Sequence, residues 1–252
     1  MKYFFAILIL ILAARIPAQP KDDALVDAPA QAVETVKADY ADENFAKVRA
    51  DVAILEESKA DGPLIDKARI LAANSYIREG DLAASFEAHR EFIVKHPDSP
   101  EIAFAYFGVA RALTDLVHTT DTERAERKAE ALENYRTFLD LTRGELRPDE
   151  DGRKMLSWRI YAYGELEDLD AYDTEAQIYL NRFDRATDAH WWMVWVGQVQ
   201  AKTHKAEPDW AGARAMLESI ATEKSFGNES AMPASTLRAF AKQELRFIAE
   251  RE

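Results

Sequence analysis

Residues 68–97 read ARILAANSYIREGDLAASFEAHREFIVKHP, and this stretch decides the fold. Apolar residues recur at three- and four-residue steps through Ile65, Ala68, Leu71 and Ala72, which is the spacing of an amphipathic helix. Ala72 and Ala73 are small enough to let a second helix approach closely. Gly80 supplies the left-handed conformation that ends the first helix. Asp81 can cap the next helix, and Pro97 stops it. Residues 68–97 therefore form a helix, a tight turn and a second helix packed back on the first.

The same grammar extends in both directions. Thirty-five residues after Ala73, Phe104-Ala-Tyr-Phe107-Gly108-Val-Ala110 repeats the pattern of aromatic, apolar, glycine and alanine. Upstream, Phe45, Val48, Val52 and Leu55 read as the second helix of an earlier pair whose first helix spans Ala32 to Tyr40, with no glycine between them. Downstream, Arg124 to Leu141 reads as a helix, entered by a surface loop through His118-Thr-Thr-Asp-Thr. Met155 to Leu166 and Asp173 to Phe183 form a degenerate pair, and Trp191 to Val199 with Asp209 to Ala221 form another. Pro233 to Arg251 closes the stack with a polar outer face.

A small residue, a tyrosine and a glycine at the places held by Ala73, Tyr76 and Gly80, with a period near 34, resemble the tetratricopeptide repeat. The fold expected is all-α, a tetratricopeptide-like solenoid of about five helix pairs and a C-terminal closing helix. From about Ala32 to Leu141, and through Phe92-Ile-Val-Lys-His-Pro-Asp-Ser-Pro-Glu101, the chain is similar to BamD-type outer-membrane assembly factors, in which an inserted loop likewise separates the following helices. Those are periplasmic scaffolds anchored through a lipid-bearing cysteine. YbgF-like periplasmic proteins of the Tol-Pal system, which need no lipid, also share the His-Pro-Asp-Ser-Pro-like ends but usually carry a preceding coiled coil that this chain does not show.

The N-terminus reads as an export signal: Lys2, the apolar run Tyr3 to Ala14, then Arg15-Ile-Pro-Ala18. That run is shorter than the roughly 20 residues a membrane span needs. We expect a signal peptide at 1–18, a flexible Ala-, Asp- and Pro-rich leader at 19–31 and a repeat domain at 32–252. The location expected is the periplasm or outside the cell. Loss of Lys2 and Arg15 on cleavage takes the formal charge from -13 to -15, which disfavours nucleic acid and anionic membrane surfaces as partners. There is no cysteine, hence no disulfide, thiolate site or direct lipid anchor. With only 9 Gly and 9 Pro, the chain has too few turn residues for a sheet of many hairpins.

The inventory of chemistry is thin. The histidines at 89, 96, 118, 190 and 204 have no close metal-ligand spacing, and His89, beside charged Glu87 and Arg90, reads as a solvated surface residue. No Gly-x-Ser-x-Gly elbow or phosphate-cradling glycine cluster occurs. Acidic neighbours such as Glu56 and Glu57, or Asp149, Glu150 and Asp151, are expected on solvated faces of an acid-rich chain rather than as a hydrolytic pair. Catalytic, cofactor and metal residues are therefore expected to be none. Trp191, Trp192 and Trp195, with Trp210, tempt a binding-site reading, but their helical spacing favours core packing.

In tetratricopeptide proteins the first helices line a groove that holds partner peptides. The register set by Ala73 and Gly108 places Lys67, Ile70, Asn74 and Ile77 there from one repeat and Ile102, Ala105, Val109 and Ala112 from the next. The function expected is a non-catalytic scaffold of the cell envelope, with envelope proteins or their peptides as partners. A Tol-Pal or peptidoglycan-associated organiser, or the helical accessory part of a wall-cleaving system, are the alternatives.

Overall fold

The computed structural model describes residues 23–58, 62–116, 120–144, 150–183, 191–222 and 234–251. They form α1 (Asp23–Ala41), α2 (Phe45–Glu57), α3 (Pro63–Glu79), α4 (Leu82–Lys95), α5 (Ile102–Asp115), α6 (Asp121–Leu141), α7 (Glu150–Glu165), α8 (Leu169–Arg182), α9 (Trp191–His204), α10 (Trp210–Thr222) and α11 (Ala234–Ala249). Consecutive helices pack on one another, and α3 also touches α1 and α5. The described residues thus make five helix pairs and a closing helix. The expected signal peptide lies outside the described residues. The leader expected to reach residue 31 is helical from Asp23, as alanines at 24, 28, 30 and 32 favour.

Three of the turns within pairs are the same turn. Gly80 (φ +81°) ends α3, and its N–H donates to the Ile77 carbonyl at 3.0 Å while that of Asp81 donates to the Tyr76 carbonyl at 2.8 Å. This closure satisfies the orphan carbonyls of the last turn. Glu43 (φ +61°) and Glu167 (φ +57°) repeat it between α1 and α2 and between α7 and α8, where Asn44 and Asp168 donate to the Asp39 and Tyr163 carbonyls at 2.8 and 3.0 Å. Asp81 and Asp168 then cap the next helix, accepting at 3.1 Å from the Ala84 and Ala171 N–H groups. The turn survives without glycine because the helices on either side pack against each other and hold it, at a conformational cost.

Helix α6 starts at Asp121, earlier than the Arg124 read from the sequence, because Thr120 accepts from the Glu123 N–H at 3.1 Å and caps it there. Its first ten residues carry no apolar stripe. They are held instead by charge pairs one turn apart, Arg124 with Asp121 at 3.3 Å and Arg127 with Glu123. Only the later part, at Ala131, Tyr135, Phe138 and Leu139, is buried.

The core runs as overlapping clusters along the stack, as a solenoid requires, because each pair buries its face only against its neighbours. Val33, Val36, Val48, Val52, Ile65 and Ala68 join α1 to α3. Ala103, Phe107 and Ala110 of α5 meet Tyr135, Phe138 and Ala162. Trp192, Trp195 and Val199 meet Leu217, Leu237 and Ile248 at the C-terminal end. Trp192 and Trp195 are thus core, Trp191 and Trp210 pack half-buried against them, and Trp191 donates its indole N–H to the Leu180 carbonyl at 3.3 Å.

Two contacts set the spacing between pairs. His89 of α4 is completely buried, which overturns the surface reading: it shares the inward stripe of Ser85 and Phe92, and its flanking charges lie on other faces of the helix. Its ring lies so close to Gly108 of α5 that a Cβ there would stand 2.3 Å from His89 Cδ2. Tyr172 of α8 stands in the same way against Gly197 of α9, where a Cβ would meet its hydroxyl at 1.9 Å. His89 Nδ1 lies 2.9 Å from the Ser85 carbonyl, so that nitrogen carries the proton and donates, while Nε2 is buried without a partner. Burial holds the imidazole neutral, its pKa pushed down to about 4, with the Ser85 carbonyl opposing only in part.

These contacts and the left-handed turns give three expectations. Gly108→Ala should cost about 1–3 kcal/mol in denaturant melts, with part of the loss recovered in the His89→Ala, Gly108→Ala double variant. Because the unfolded imidazole protonates near 6.5 and the folded one only near 4, stability should be lost as pH falls through that window, by up to roughly 3 kcal/mol. The slope should shrink in His89→Leu, measured as the difference between the two melts at each pH. Glu167→Gly, which removes a left-handed non-glycine residue on an exposed turn, should stabilise the chain by about 0.5–1 kcal/mol.

Candidate functional site

Two adjoining hollows, of about 530 and 460 Å³, open along the first helices of the pairs and share Tyr40, Asn74, Lys154 and Trp158. Together they form one groove crossing α1, α3, α5 and α7. Tyr40 comes from α1, and Lys67, Ile70, Leu71, Asn74, Ile77 and Arg78 come from α3. Phe104, Phe107 and Arg111 come from α5, and Arg153, Lys154, Met155, Ser157 and Trp158 from α7. These positions follow from the alternation of the fold, in which the second helices pack behind the first.

All four residues read from α3, Lys67, Ile70, Asn74 and Ile77, line the groove. The four read from α5 do not. Ala105 is buried among Ile70 and Phe92, with Ile102 packed beside it. Val109 is buried with Leu113 and Ala131, and Ala112 is fully buried. Of the residues that do line the groove from α5 and the position just before it, Glu101, Phe104 and Arg111 stand 34 residues after Lys67, Ile70 and Ile77, rather than 35, and Ala103 and Phe107 join them. With Gly108 facing His89, the open side of α5 falls at Phe104 and Arg111, one position before the copy read from the sequence. The contribution of α7 is not legible in the sequence, because its pair lacks the small and turn residues that mark the register.

The floor of the groove is aromatic. Trp158 stacks on Phe107 with ring centroids 5.0 Å apart and planes 6° from parallel, and it meets Phe104 edge-on at 5.0 Å. Such pairs hold rings in fixed orientation beyond what apolar burial alone gives. Tyr40 borders the same space. Burial raises its phenol pKa, offset in part by the positive charges of Arg78 and Arg111. Tyr161, next to Phe107, is raised to about 12 by burial and then by the nearby Glu165 carboxylate. Both phenols are protonated at neutral pH and available as hydrogen-bond donors or acceptors.

Charge lines the walls. Lys67, Arg78, Arg111, Arg143, Arg153 and Lys154 face the two hollows against the single carboxylate of Glu101. Glu43 at the rim pairs with Arg78 at 2.5 Å, both side chains more than half exposed at 64% and 53%. An exposed pair of this kind contributes little and exchanges readily with another anion.

Titratable groups elsewhere are tied into the scaffold. Lys202 of α9 bridges Asp173 of α8 and Asp209 before α10, each at 3.0 Å, and Gln198 donates to Asp173 at 2.9 Å. Hydrogen bonding from Lys202, and then from the Gly212 N–H, holds Asp209 below the ordinary aspartate range. Arg159 of α7 pairs with Glu175 of α8 in a buried contact, and burial raises the Glu175 carboxyl despite that partner. Both networks join one helix to the next. Among the described residues no three metal-ligating side chains cluster, and no helix is long and apolar enough to cross a membrane. His118 and His190 lie outside the described residues.

No family model matches the chain, and no curated protein matches it. Among solved structures, a thermophilic TPR protein of Thermus thermophilus is similar over 87% of this chain and 100% of its own, with a TM-score of 0.53 at 13% sequence identity. At that identity the likeness is one of fold. It bears on the repeat architecture and on neither of the two envelope families that the sequence resembles. The chain is an all-α solenoid of the tetratricopeptide type.

Proposed function

We propose that this chain is an exported, non-catalytic scaffold of the cell envelope, holding a segment of a partner protein in the groove across α1, α3, α5 and α7. The observation that carries the reading is the groove itself. It is open, aromatic-floored and polar-walled, and its walls come from four successive pairs. A repeat protein gains an extended binding surface in this way, since no single pair is wide enough to hold a peptide. The likeness to a TPR protein supports a role in protein–protein interaction. The export signal read at residues 1–18 supports the envelope.

The same groove would serve an outer-membrane assembly factor or a Tol-Pal accessory, and partner identity separates them. Affinity capture of the chain from an envelope extract, followed by mass spectrometry, should recover barrel-assembly or Tol-Pal components. A chain carrying Asn74→Ala and Arg111→Glu should recover at least about tenfold less of the same partner, because both positions face the groove while Arg111 is exposed. Equal recovery by the two chains would sink the groove as the binding face. A soluble partner confined to the cytoplasm would sink the envelope assignment.

A further inference from the structure

We propose that Glu175 of α8 is an acid-operated latch on one wall of the groove: its carboxylate holds Arg159 of α7, and Arg159 holds the end of α6. The inference goes beyond the scaffold reading and stands on contacts within the fold, whatever occupies the groove. Arg159 is the middle of a chain that runs from the second helix of the fourth pair to the open side of the stack. One arm of its guanidinium donates to a carboxylate oxygen of Glu175, and the other donates to the Thr142 carbonyl at 3.3 Å. Thr142 closes α6, and Leu141, Thr142, Arg143 and Gly144 line the larger hollow. Among the described residues, the other side-chain bonds of Thr142 and Arg143 stay within α6, to the Phe138 and Leu139 carbonyls and to Asp140. Arg159 is thus the polar tie between this wall and the next pair.

Three features make the tie releasable. The pair is enclosed, with the Arg159 and Glu175 side chains 12% and 10% exposed. It is also incompletely satisfied, since Arg159 Nε and Glu175 Oε2 are buried without a partner, and a buried pair offsets its desolvation only when its remaining hydrogen bonds are made. Finally, no second charge shares the load. Burial and Arg159 are the influences on the Glu175 carboxyl, and burial, the larger, lifts it above the ordinary 4.5. On α9, Lys202 and Lys205 are engaged by Asp170, Asp173 and Asp209, and on α6 Arg143 is engaged by Asp140. When Glu175 takes up a proton, Arg159 keeps its charge, because a guanidinium does not titrate in this range. It is then an enclosed cation without a counter-ion, and water is the partner left to it. Reaching water draws the guanidinium off the Thr142 carbonyl, and the last turn of α6 frays. A carboxyl raised by folding takes up its proton at higher pH in the folded chain than in the unfolded one, so this group causes no global loss of stability as pH falls. The release is local, unlike the effect of His89.

Amide hydrogen exchange on the full chain, read by mass spectrometry and corrected for the intrinsic rate at each pH, tests the latch. In Glu175→Gln, where an amide stands in for the protonated acid, the last turn of α6 should exchange about tenfold faster than in the native chain at about pH 7.5, with α3 and α10 unchanged. In the native chain the same turn should lose protection as pH is lowered to 4.5, the ordinary value of the carboxyl, and Glu175→Gln should show no such step. The native titration does not depend on how any variant folds, and the contribution of His89 is common to both chains and cancels between them. Arg159→Lys keeps the charge and loses the two-armed fork, so the end of α6 should be unprotected at every pH. Native protection of that turn in Glu175→Gln, or an acid step of equal size in both chains, would overturn the latch. Faster exchange throughout Glu175→Gln would assign Glu175 to general stability and overturn it as well.

Discussion

At two of the junctions between helix pairs, close approach depends on an aromatic ring of one pair meeting a bare backbone of the next. His89 against Gly108 and Tyr172 against Gly197 are the same device used twice, at the junction of the second and third pairs and of the fourth and fifth. A helix carrying any side chain at the glycine would be pushed outward on that side. The pairs would then splay behind the groove instead of drawing together. The cost of the device is visible at His89, whose Nε2 has no hydrogen-bond partner and whose imidazole is held neutral by burial. A buried polar atom without a partner persists only where the surrounding contacts outweigh it. Here they include the Ser85 carbonyl that accepts from the ring and the glycine backbone beside it.

The turns illustrate what a sequence shows and what it hides. Gly80 announces its turn because glycine is the residue that takes a left-handed conformation without cost. Glu43 and Glu167 make the same turn and announce nothing, since glutamate has no preference for it. There the surrounding structure overrides local propensity. The signal that marks all three is the residue that follows: Asn44, Asp81 and Asp168, each a good starting residue for a helix. The start of α6 is hidden for the opposite reason. Its local stability comes from a cap and from charge pairs, so the apolar periodicity by which helices are read is missing there.

The fold is legible because periodicity over the eleven helices of the described residues is redundant; the groove is only half legible because a face depends on a single rotation. On α3, small residues and a glycine at the expected spacing fix which side looks outward, and Lys67, Ile70, Asn74 and Ile77 all line the groove. On α5, almost every position is apolar, so sequence cannot say which apolar residues face α4, α6, α7 or the open side. One residue in the assumed period moves the reading from Phe104 and Arg111 to Ala105 and Ala112. His89 misleads for a related reason. Charged neighbours in sequence say little about burial on a helix, where adjacent residues point about 100° apart.

Trp158 carries both halves of the molecule's logic. Its face on Phe107 and its edge toward Phe104 join α7 to α5 across the open side of the stack. The rings that line the groove are therefore also what hold its two walls at a fixed separation. A peptide resting on Trp158 would meet a surface already ordered by the fold, so little rotamer freedom remains to be lost on binding. The cations around it are mostly long, exposed side chains, which can adjust to where a partner's charges fall. A rigid apolar floor with adaptable charged walls would fix where a bound segment lies while leaving its charge spacing free to vary.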